Sequence, residues 1–240
     1  MPIDWLPMLD RDGFVVVPAV FTATEAAAIA EELSVALAAG DQRPTMRSGA
    51  GSLVAARNVL ELYPQAATVW RRTPLVELLT AVLGARWGLV RVLFFDKPPD
   101  RTWALAWHKD LTIAVCDHAL PSEQFRRPTL KAGVPHVEAP SALLEQMLTL
   151  RIHLDDVTDE NGPLRVVAGS HRSGKQAVAS PTEPAVIHAH SGDVLAMRPL
   201  VSHSSGASQS GTNRHRRVLH LEFAGCEELP DGFRWHDFVR

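Results

Sequence analysis

The chain has 240 residues, of which 46% are apolar and 21% charged, a composition that supports a well-packed core and excludes disorder as the dominant state. Its 24 basic and 27 acidic residues give a formal net charge of −3, without a segment that concentrates lysine and arginine. A nucleic-acid partner is therefore not expected, because phosphate-binding surfaces need clustered positive charge. No apolar run reaches the length of a membrane span, and the first residues lack the pattern of a signal peptide.

The cysteine content favours a reducing compartment. Cys116 and Cys226 lie far apart, without the CxxC spacing of a thiolate metal site or a disulfide framework. We therefore expect a cytoplasmic protein. No repeat or linker divides the chain, so residues 1–240 are predicted to form one domain. The eleven histidines are the first indication of metal chemistry.

The first 85 residues have a mainly helical pattern. A capping box from Thr22 to Glu25 precedes apolar residues at helical spacing, and predicts a helix that ends at Gly40. A second helix is predicted over 73–84, where a threonine cap is followed by proline at the first helical position. A further helix is expected within 59–70.

From about residue 86 the pattern changes to short apolar or alternating runs separated by turn residues. This sequence pattern is typical of a β-sandwich or barrel, so the predicted fold is mainly β with flanking helices. The predicted strands are Gly88–Phe95, Thr112–Val115, Met147–Asp155, Leu164–Val167, Ala185–His190, Val194–Met197 and Arg216–Phe223.

Two of these strands have one apolar and one polar face. Over 148–155, leucine and isoleucine alternate with residues that include Arg151 and His153. Over 216–223, Arg216 lies on the face opposite the leucines. Because successive side chains of a strand point to opposite faces, one face packs in the core and the other is either functional or solvated.

Residues 118–140 lack clear periodicity and are too numerous for a simple turn. Phe125, Val134 and Val137 give this segment apolar side chains that can pack. We therefore predict that it forms a lid.

His108 and Asp110 are two positions apart in the run Trp107–Asp110. On an extended segment both side chains project to one face, which is suitable for binding a metal. Local spacing does not single out this pair, because three similar pairs occur: His136 with Glu138, His153 with Asp155, and His220 with Glu222.

The order of the motifs further along the chain distinguishes the first pair. Between about residues 88 and 224, the His-x-Asp pair is followed by Gly169-Ser170-His171, Gly192-Asp193, His203-Ser204-Ser205-Gly206 and the run Arg216–Phe223. With these motifs in this order, the chain resembles the phytanoyl-CoA dioxygenase family. The resemblance implies a double-stranded β-helix, or jelly roll, with the N-terminal helices packed on one sheet.

The resemblance also implies a mononuclear Fe(II) site with 2-oxoglutarate and O₂ as co-substrates. His108 and Asp110 match the His-x-Asp ligands of the family, and His203 matches its distal histidine. Three protein ligands on one face of an octahedral ion leave three positions for the co-substrates. His171 is expected to maintain loop geometry rather than to bind metal.

The far carboxylate of 2-oxoglutarate requires a permanently charged fork, for which arginine is suited. The family pattern places this residue seven positions before an aromatic residue, which indicates Arg216. The preceding turn is longer than usual, so Arg214 and Arg217 are alternatives. Ser205 resembles a position that binds the same carboxylate.

Other polar residues are predicted near the site. Arg151 and His153 would project into the barrel and bind 2-oxoglutarate or substrate, or form an internal structural network. Arg91 and Lys97 share one face of a nearby strand, and a solvated strand edge explains them equally well.

The predicted function is hydroxylation, or desaturation or cyclisation, of a small organic molecule, with succinate and CO₂ as co-products. A cupin-like divalent-metal enzyme that does not use 2-oxoglutarate is one alternative, and a non-catalytic ligand-binding jelly roll is another. No nucleotide-phosphate loop is recognisable, so the family name is not taken to imply an acyl-CoA substrate.

Overall fold

The structure is a computed structural model that describes residues 5–39, 45–178 and 183–240. Its α-helices are α1 (Trp5–Asp12), α2 (Ala23–Ala39), α3 (Val59–Leu62), α4 (Thr73–Leu83) and α5 (Ser141–Leu144). Short 3₁₀ helices cover Pro64–Ala67, Asp159–Asn161, Ser170–Ser173 and Pro230–Gly232. The strands are β1 (Phe14–Val17), β2 (Thr45–Arg47), β3 (Leu53–Ala56), β4 (Gly88–Phe95), β5 (Leu105–His108), β6 (Thr112–Ala114), β7 (Arg126–Lys131), β8 (Val134–Glu138), β9 (Met147–His153), β10 (Leu164–Val166), β11 (Ala185–Ile187), β12 (Val194–Met197), β13 (His203–Ser205) and β14 (Val218–Ala224).

Two antiparallel sheets form the jelly roll. The larger sheet has the order β1-β12-β9-β14-β4-β3-β2, and the smaller has the order β11-β10-β13-β5. Apolar side chains of β10 and β11 pack against those of β12, so the sheets lie face to face. The predicted mainly β fold with a double-stranded β-helix is therefore confirmed.

The register of the larger sheet places its polar side chains in rows on the inner face. Glu222 pairs with Arg91 on one neighbouring strand, and His220 pairs with Arg151 on the other. Residues that are directly opposite in neighbouring strands point to the same side of a sheet. The inner face of β4, β9 and β14 therefore presents charged and imidazole groups toward the smaller sheet.

The opposite face of the larger sheet is apolar and is covered by α1, α2 and α4. Leu150 and Leu221 of the sheet belong to the same buried set as Leu33 of α2 and Leu79 of α4. Burial of side chains of this size contributes about 1.5–3 kcal/mol each. The prediction that N-terminal helices pack on one sheet is confirmed. In the described part of the chain, no helix is both long and apolar enough to cross a bilayer.

The starts of α2 and α4 agree with the sequence except at one cap, whereas the helix expected within 59–70 is the short α3 followed by a 3₁₀ turn, and α1 and α5 were not predicted. The capping box of α2 forms, because the Glu25 carboxylate accepts from the Thr22 amide at 2.8 Å and the Thr22 hydroxyl accepts from the Glu25 amide at 3.1 Å. Gly40, the predicted end of that helix, lies outside the described residues. Thr73 is the first residue of α4 rather than its cap, and Arg72 takes the cap position without a side-chain bond.

Several strand predictions need correction. The last strand covers Val218–Ala224, so Arg216 lies just before it rather than on it. Strands β1, β2, β3, β5, β7, β8 and β13 were not predicted. Most of these are three to five residues long, too short to show the alternation by which strands are recognised.

Much of the segment 118–140 forms strands rather than an irregular loop. β7 and β8 form a hairpin that joins β6 in a third sheet. Its turn contains Ala132 and Gly133, both with positive φ (50° and 83°), as a type I′ turn requires. Phe125, Val134 and Val137 are buried, as expected of packing side chains. The segment is thus an ordered flap of the fold.

Candidate active site

A cavity of about 410 Å³ lies between the two sheets. The larger sheet contributes Arg91, Arg151, His220 and Glu222 to its lining, and the smaller sheet contributes residues of β5 and β13. A cleft of this size can hold a small organic molecule and its co-substrate.

His108, Asp110 and His203 converge at one end of this cavity. The Nε2 atom of His203 is 3.6 Å from Asp110 Oδ2, and the Nε2 atom of His108 is 3.9 Å from Asp110 Oδ1. One potential ligand atom from each residue lies within 4.8 Å of the other two. Donors at such separations can share a single metal ion.

The backbone orients both imidazoles of this cluster. β5 and β13 are neighbours, and His108 is directly opposite His203. The Nδ1 atom of His108 is 2.8 Å from the carbonyl of Ala106, and that of His203 is 2.9 Å from the carbonyl of Val201. A carbonyl partner fixes the proton on Nδ1 and leaves the Nε2 lone pair free for a metal.

The protonation states of the cluster also suit a metal. Burial lowers the pKa of His203 to about 4, so its imidazole is neutral at physiological pH. Burial alone would raise the pKa of Asp110, but the imidazoles of His203, His220 and His108 and the guanidinium of Arg151 outweigh it and hold that pKa well below its usual range. Two imidazoles and one carboxylate form a facial triad suited to Fe(II).

The carboxylates of the three competing pairs bind basic side chains, and Glu138 accepts from Lys175 at 2.9 Å. Asp155 accepts from the Arg217 guanidinium at 2.6 Å, which separates it from His153. His220 lies 3.2 Å from Glu222, whose carboxylate also binds Arg91. Among the residues that the structure describes, His108, Asp110 and His203 are the sole group of three able to hold a metal.

In the opposite part of the site lie two basic side chains that donate to no carboxylate among the described residues. Arg216 is 3% exposed; its Nη1 atom donates to the Gly162 carbonyl at 2.8 Å, and its Nε atom is buried without a partner. Lys97 is fully buried and donates to Gly162, Gly206 and the Ser205 hydroxyl. Buried cations are normally paired with anions. This cradle therefore fits an anionic ligand such as a carboxylate.

A comparison with protein families agrees with the metal site that the geometry indicates. Residues 9–216 match the profile of the phytanoyl-CoA dioxygenase family. The chain belongs to this family. It is accordingly an oxygenase of the iron- and 2-oxoglutarate-dependent class, with Fe(II) as its metal and 2-oxoglutarate and O₂ as co-substrates.

Solved structures share the fold of this dioxygenase. EctD from S. alaskensis in its apoform is 18% identical, with a TM-score of 0.68 and coverage of 93% of this chain and 77% of that one. The epimerase SnoN from nogalamycin biosynthesis is 23% identical, with a TM-score of 0.62 and coverage of 94% and 82%. HygX from Streptomyces hygroscopicus with nickel and 2-oxoglutarate bound is 16% identical, with a TM-score of 0.62 and coverage of 99% and 98%.

Among the three arginines considered for 2-oxoglutarate, the dioxygenase fold brings Arg216 alone into the cavity. Arg214 forms an ion pair at 2.8 Å with Glu160 at the surface and does not line the cavity. Arg217 points outward and binds Asp155. Arg214 is therefore not retained as a co-substrate ligand. Its position follows from the turn before β14, which leaves the side chain outside the barrel.

Arg151 and His153 lie inside the dioxygenase barrel, as their strand parity indicates. Arg151 is 7% exposed and lines the cavity, where it interacts electrostatically with Asp110 at one end and Arg216 at the other. Both ring nitrogens of His153 are buried without partners, and burial, together with Arg151 and Arg216, lowers its pKa to about 3. His153 is therefore a neutral spacer beside the cations.

Strand parity alone does not distinguish Lys97 from a residue of a solvated strand edge. In the dioxygenase it extends from the end of β4 to the loops that contain Gly162 and Ser205. Its parity with Arg91 and Phe95 is the available signal, because those two side chains line the cavity. His171 packs beside Gly13, in keeping with the expected structural role.

Proposed function

We propose that the protein hydroxylates a small organic metabolite, with conversion of 2-oxoglutarate to succinate and CO₂. Desaturation and cyclisation belong to the same proposal, because both begin with removal of hydrogen from carbon. One observation carries it: a single cavity has the cluster of His108, Asp110 and His203 at one end and Arg216 near the other, where the buried Lys97 shares the Gly162 carbonyl with Arg216.

In this proposal, His108, Asp110 and His203 hold the iron. Bound iron and 2-oxoglutarate together supply an oxidant, derived from O₂, that is strong enough for an unactivated C–H bond. The protein contributes position and protonation state: the carbonyls of Ala106 and Val201 hold the imidazoles in the ligating tautomer.

Arg216 and Lys97 would bind the distal carboxylate of 2-oxoglutarate, with the Ser205 hydroxyl beside them. Trp103 supports this cradle, since its ring centroid is 4.7 Å from Lys97 Nζ and 5.8 Å from Arg216 Cζ. Arg151 lies between the cradle and Asp110. Its positive charge would attract the keto-acid end of the 2-oxoglutarate dianion.

The remaining wall of the cavity would bind the substrate. Leu93, Phe95, Leu105 and Leu164 give it an apolar surface, which excludes water from the reacting carbon. The hairpin of β7 and β8 borders the cavity through Lys131. We assign it the role of the lid that the sequence predicts.

The proposal also covers the size of the substrate, the domain organisation and the cellular location of the protein. The fold neighbours include EctD with 2-oxoglutarate and 5-hydroxyectoine and SnoN with Fe³⁺, alpha ketoglutarate and nogalamycin RO. By analogy with these two proteins, we propose that the substrate of this chain is a small molecule. We propose no nucleic-acid or membrane partner for it. We also propose that residues 1–240 act as one domain and that the protein is cytoplasmic.

Anaerobic titration tests this function. Addition of Fe(II) and then 2-oxoglutarate should produce a visible charge-transfer band, and admission of O₂ should release succinate even without substrate. Metal binding without the band or succinate would favour a divalent-metal enzyme that does not use 2-oxoglutarate. Absence of both metal binding and turnover would favour a non-catalytic jelly roll.

A further inference from the structure

A second group of cations lines the cavity, on other elements than the Arg216 cradle. It consists of Arg57, which follows β3, Arg91 on β4 and Lys131 at the end of β7. Arg91 is neutralised by Glu222, because its Nε and Nη2 atoms donate to that carboxylate at 2.9 Å and 2.5 Å. Arg57 and Lys131 have no such partner among the described residues. These two charges need an explanation that the proposed mechanism does not give.

The backbone directs Arg57 toward the interior. Ala55 of β3 is paired with Phe95 of β4, and both line the cavity. Arg57 is two residues further along, so its side chain lies on the same face and also lines the cavity. The Asn58 side chain then donates to the carbonyl of Ala132 at 3.1 Å, which fastens the turn of the hairpin to the end of β3.

That hydrogen bond brings Lys131 to the site from the other side. Lys131 immediately precedes Ala132 in the turn, and its Nζ atom donates to the Thr112 hydroxyl at 3.0 Å. Thr112 lies two residues after the proposed ligand Asp110 and lines the cavity. The ammonium of Lys131 is therefore held at the substrate wall, close to the metal end.

The electrostatic state of both groups is unfavourable without a ligand. Burial, and then repulsion by Arg91, lowers the pKa of Arg57 and the pKa of Lys131 below their ordinary values, and attraction by Glu222 offsets only part of this effect. A structural cation in such a place is normally hydrogen-bonded to a carboxylate. Arg57 and Lys131 face a cavity instead, which is the arrangement of a preformed anion site.

The charge balance of the whole cavity supports the same conclusion. Six arginine and lysine side chains and two carboxylate side chains line it. A metal dication and the dianion of 2-oxoglutarate cancel each other, so a positive excess remains when both are bound. An anionic substrate would compensate part of that excess.

We propose that the substrate is a small organic acid whose carboxylate or phosphate group binds Arg57 and Lys131. This inference rests on the proposed function and specifies its substrate class. The acidic group would lie against β3 and the hairpin, and the apolar body would extend past Leu93 and Phe95 toward the metal. Arginine and lysine together provide a fork and a point charge for such an oxyanion.

Binding measurements on the anaerobic protein loaded with Fe(II) and 2-oxoglutarate test this inference. The probes are matched pairs: alkanoates with their amides, and alkyl phosphates with their alcohols. The acid of at least one pair should bind at least about tenfold more tightly than its neutral partner, and Arg57→Gln or Lys131→Gln should each remove about tenfold of that affinity or more. The two kinds of pair distinguish a carboxylate from a phosphate as the preferred group.

Arg126→Gln is the matched control, because Arg126 is an exposed arginine of the same hairpin and does not line the cavity. It should bind every probe like the wild type. The 2-oxoglutarate charge-transfer band shows that each variant is folded and loaded. Equal binding of acids and neutral partners, or equal loss in the control, would overturn the inference while leaving the proposed function intact. Absence of the band in the wild type would instead refute the proposed function.

Discussion

Lys97 and Arg216 share one acceptor, the carbonyl oxygen of Gly162. The distances are 3.3 Å from Lys97 Nζ and 2.8 Å from Arg216 Nη1, and among the described residues neither side chain donates to a carboxylate. Burial and Arg151 lower the pKa of Arg216 to about 9, so it remains charged at neutral pH. A single neutral carbonyl does not balance the buried charge of Arg216, nor that of Lys97 once its amine is protonated. The arrangement is stable when an anion completes it, which explains its suitability for a dicarboxylate co-substrate.

Arg216→Lys should weaken 2-oxoglutarate binding by about tenfold or more, because an ammonium cannot reproduce a bidentate guanidinium fork. Metal affinity should change little. Titration of the charge-transfer band gives the dissociation constant directly. Arg217→Lys is the matched control, since Arg217 binds Asp155 outside the cavity. A larger effect at Arg217 would refute the assignment of Arg216.

Binding of 2-oxoglutarate should be accompanied by proton uptake at neutral pH. Burial, with Arg216 and Arg151, lowers the pKa of Lys97 to about 6, so this amine is mostly neutral before the ligand arrives. A bound carboxylate raises that pKa and draws a proton from solution. Affinity should therefore fall as the pH rises from about 6 to about 8. Calorimetry in buffers of different ionisation enthalpy measures the uptake.

Lys97→Met tests whether Lys97 is the source of this proton uptake. The variant should bind 2-oxoglutarate more weakly and with less proton uptake, whereas Lys175→Met should behave like the wild type. Lys175 is a suitable control because its ammonium pairs with Glu138, away from the cradle. Undiminished proton uptake by the Lys97 variant would show that another group titrates.

His108→Ala and Asp110→Ala should each abolish the charge-transfer band, because each removes one of three proposed donors. Both variants should keep the thermal unfolding temperature of the metal-free protein, since neither side chain packs in the apolar core. Surface residues with the same functional groups provide the controls: His188→Ala and Asp159→Ala, which break an exposed pair at 2.8 Å. A full band in either ligand variant would place the metal elsewhere.

The sequence was sufficient for the parts of the site that depend on local spacing. His108 and Asp110 lie two residues apart on an extended segment, so their common face follows from strand geometry. The choice of His203 as the third member came from the order of motifs, since no local rule connects residues so distant in the chain. The structure adds the pairing of β5 with β13 that brings them together.

Long-range contacts determine what the sequence could not predict. Lys97 is buried by loops that contain Gly162 and Ser205, so its role depends on the closed fold. The sequence pattern does not reveal the hairpin, because nearly all of β7 is exposed and its residues do not alternate between apolar and polar. Arg57 lies outside any strand, so no alternation pattern predicts that its side chain lines the cavity beside that hairpin.

Gly162 should be intolerant of any side chain, because it approaches the cradle closely. Its φ is +67°, and a β-carbon there would lie 2.5 Å from the Gly206 carbonyl and 2.8 Å from Lys97 Nζ. Gly162→Ala should therefore displace Lys97, weaken 2-oxoglutarate binding and lower the unfolding temperature. Titration of the charge-transfer band and thermal denaturation measure the two effects.

Gly169→Ala separates this close approach from backbone strain. Gly169 is also left-handed, with φ +75°, but the nearest atom to the position of its β-carbon is the Arg11 carbonyl oxygen at 3.6 Å, an ordinary contact. Its alanine variant should lose only about 1–2 kcal/mol of folding stability, the cost of placing a side chain on a left-handed backbone. It should retain its affinity for 2-oxoglutarate. The Gly162 variant should lose more stability than that, because the steric conflict with Gly206 adds to the same strain. Equal losses of stability with unchanged 2-oxoglutarate affinity in both variants would show that the Gly162 backbone does not hold Lys97 in place.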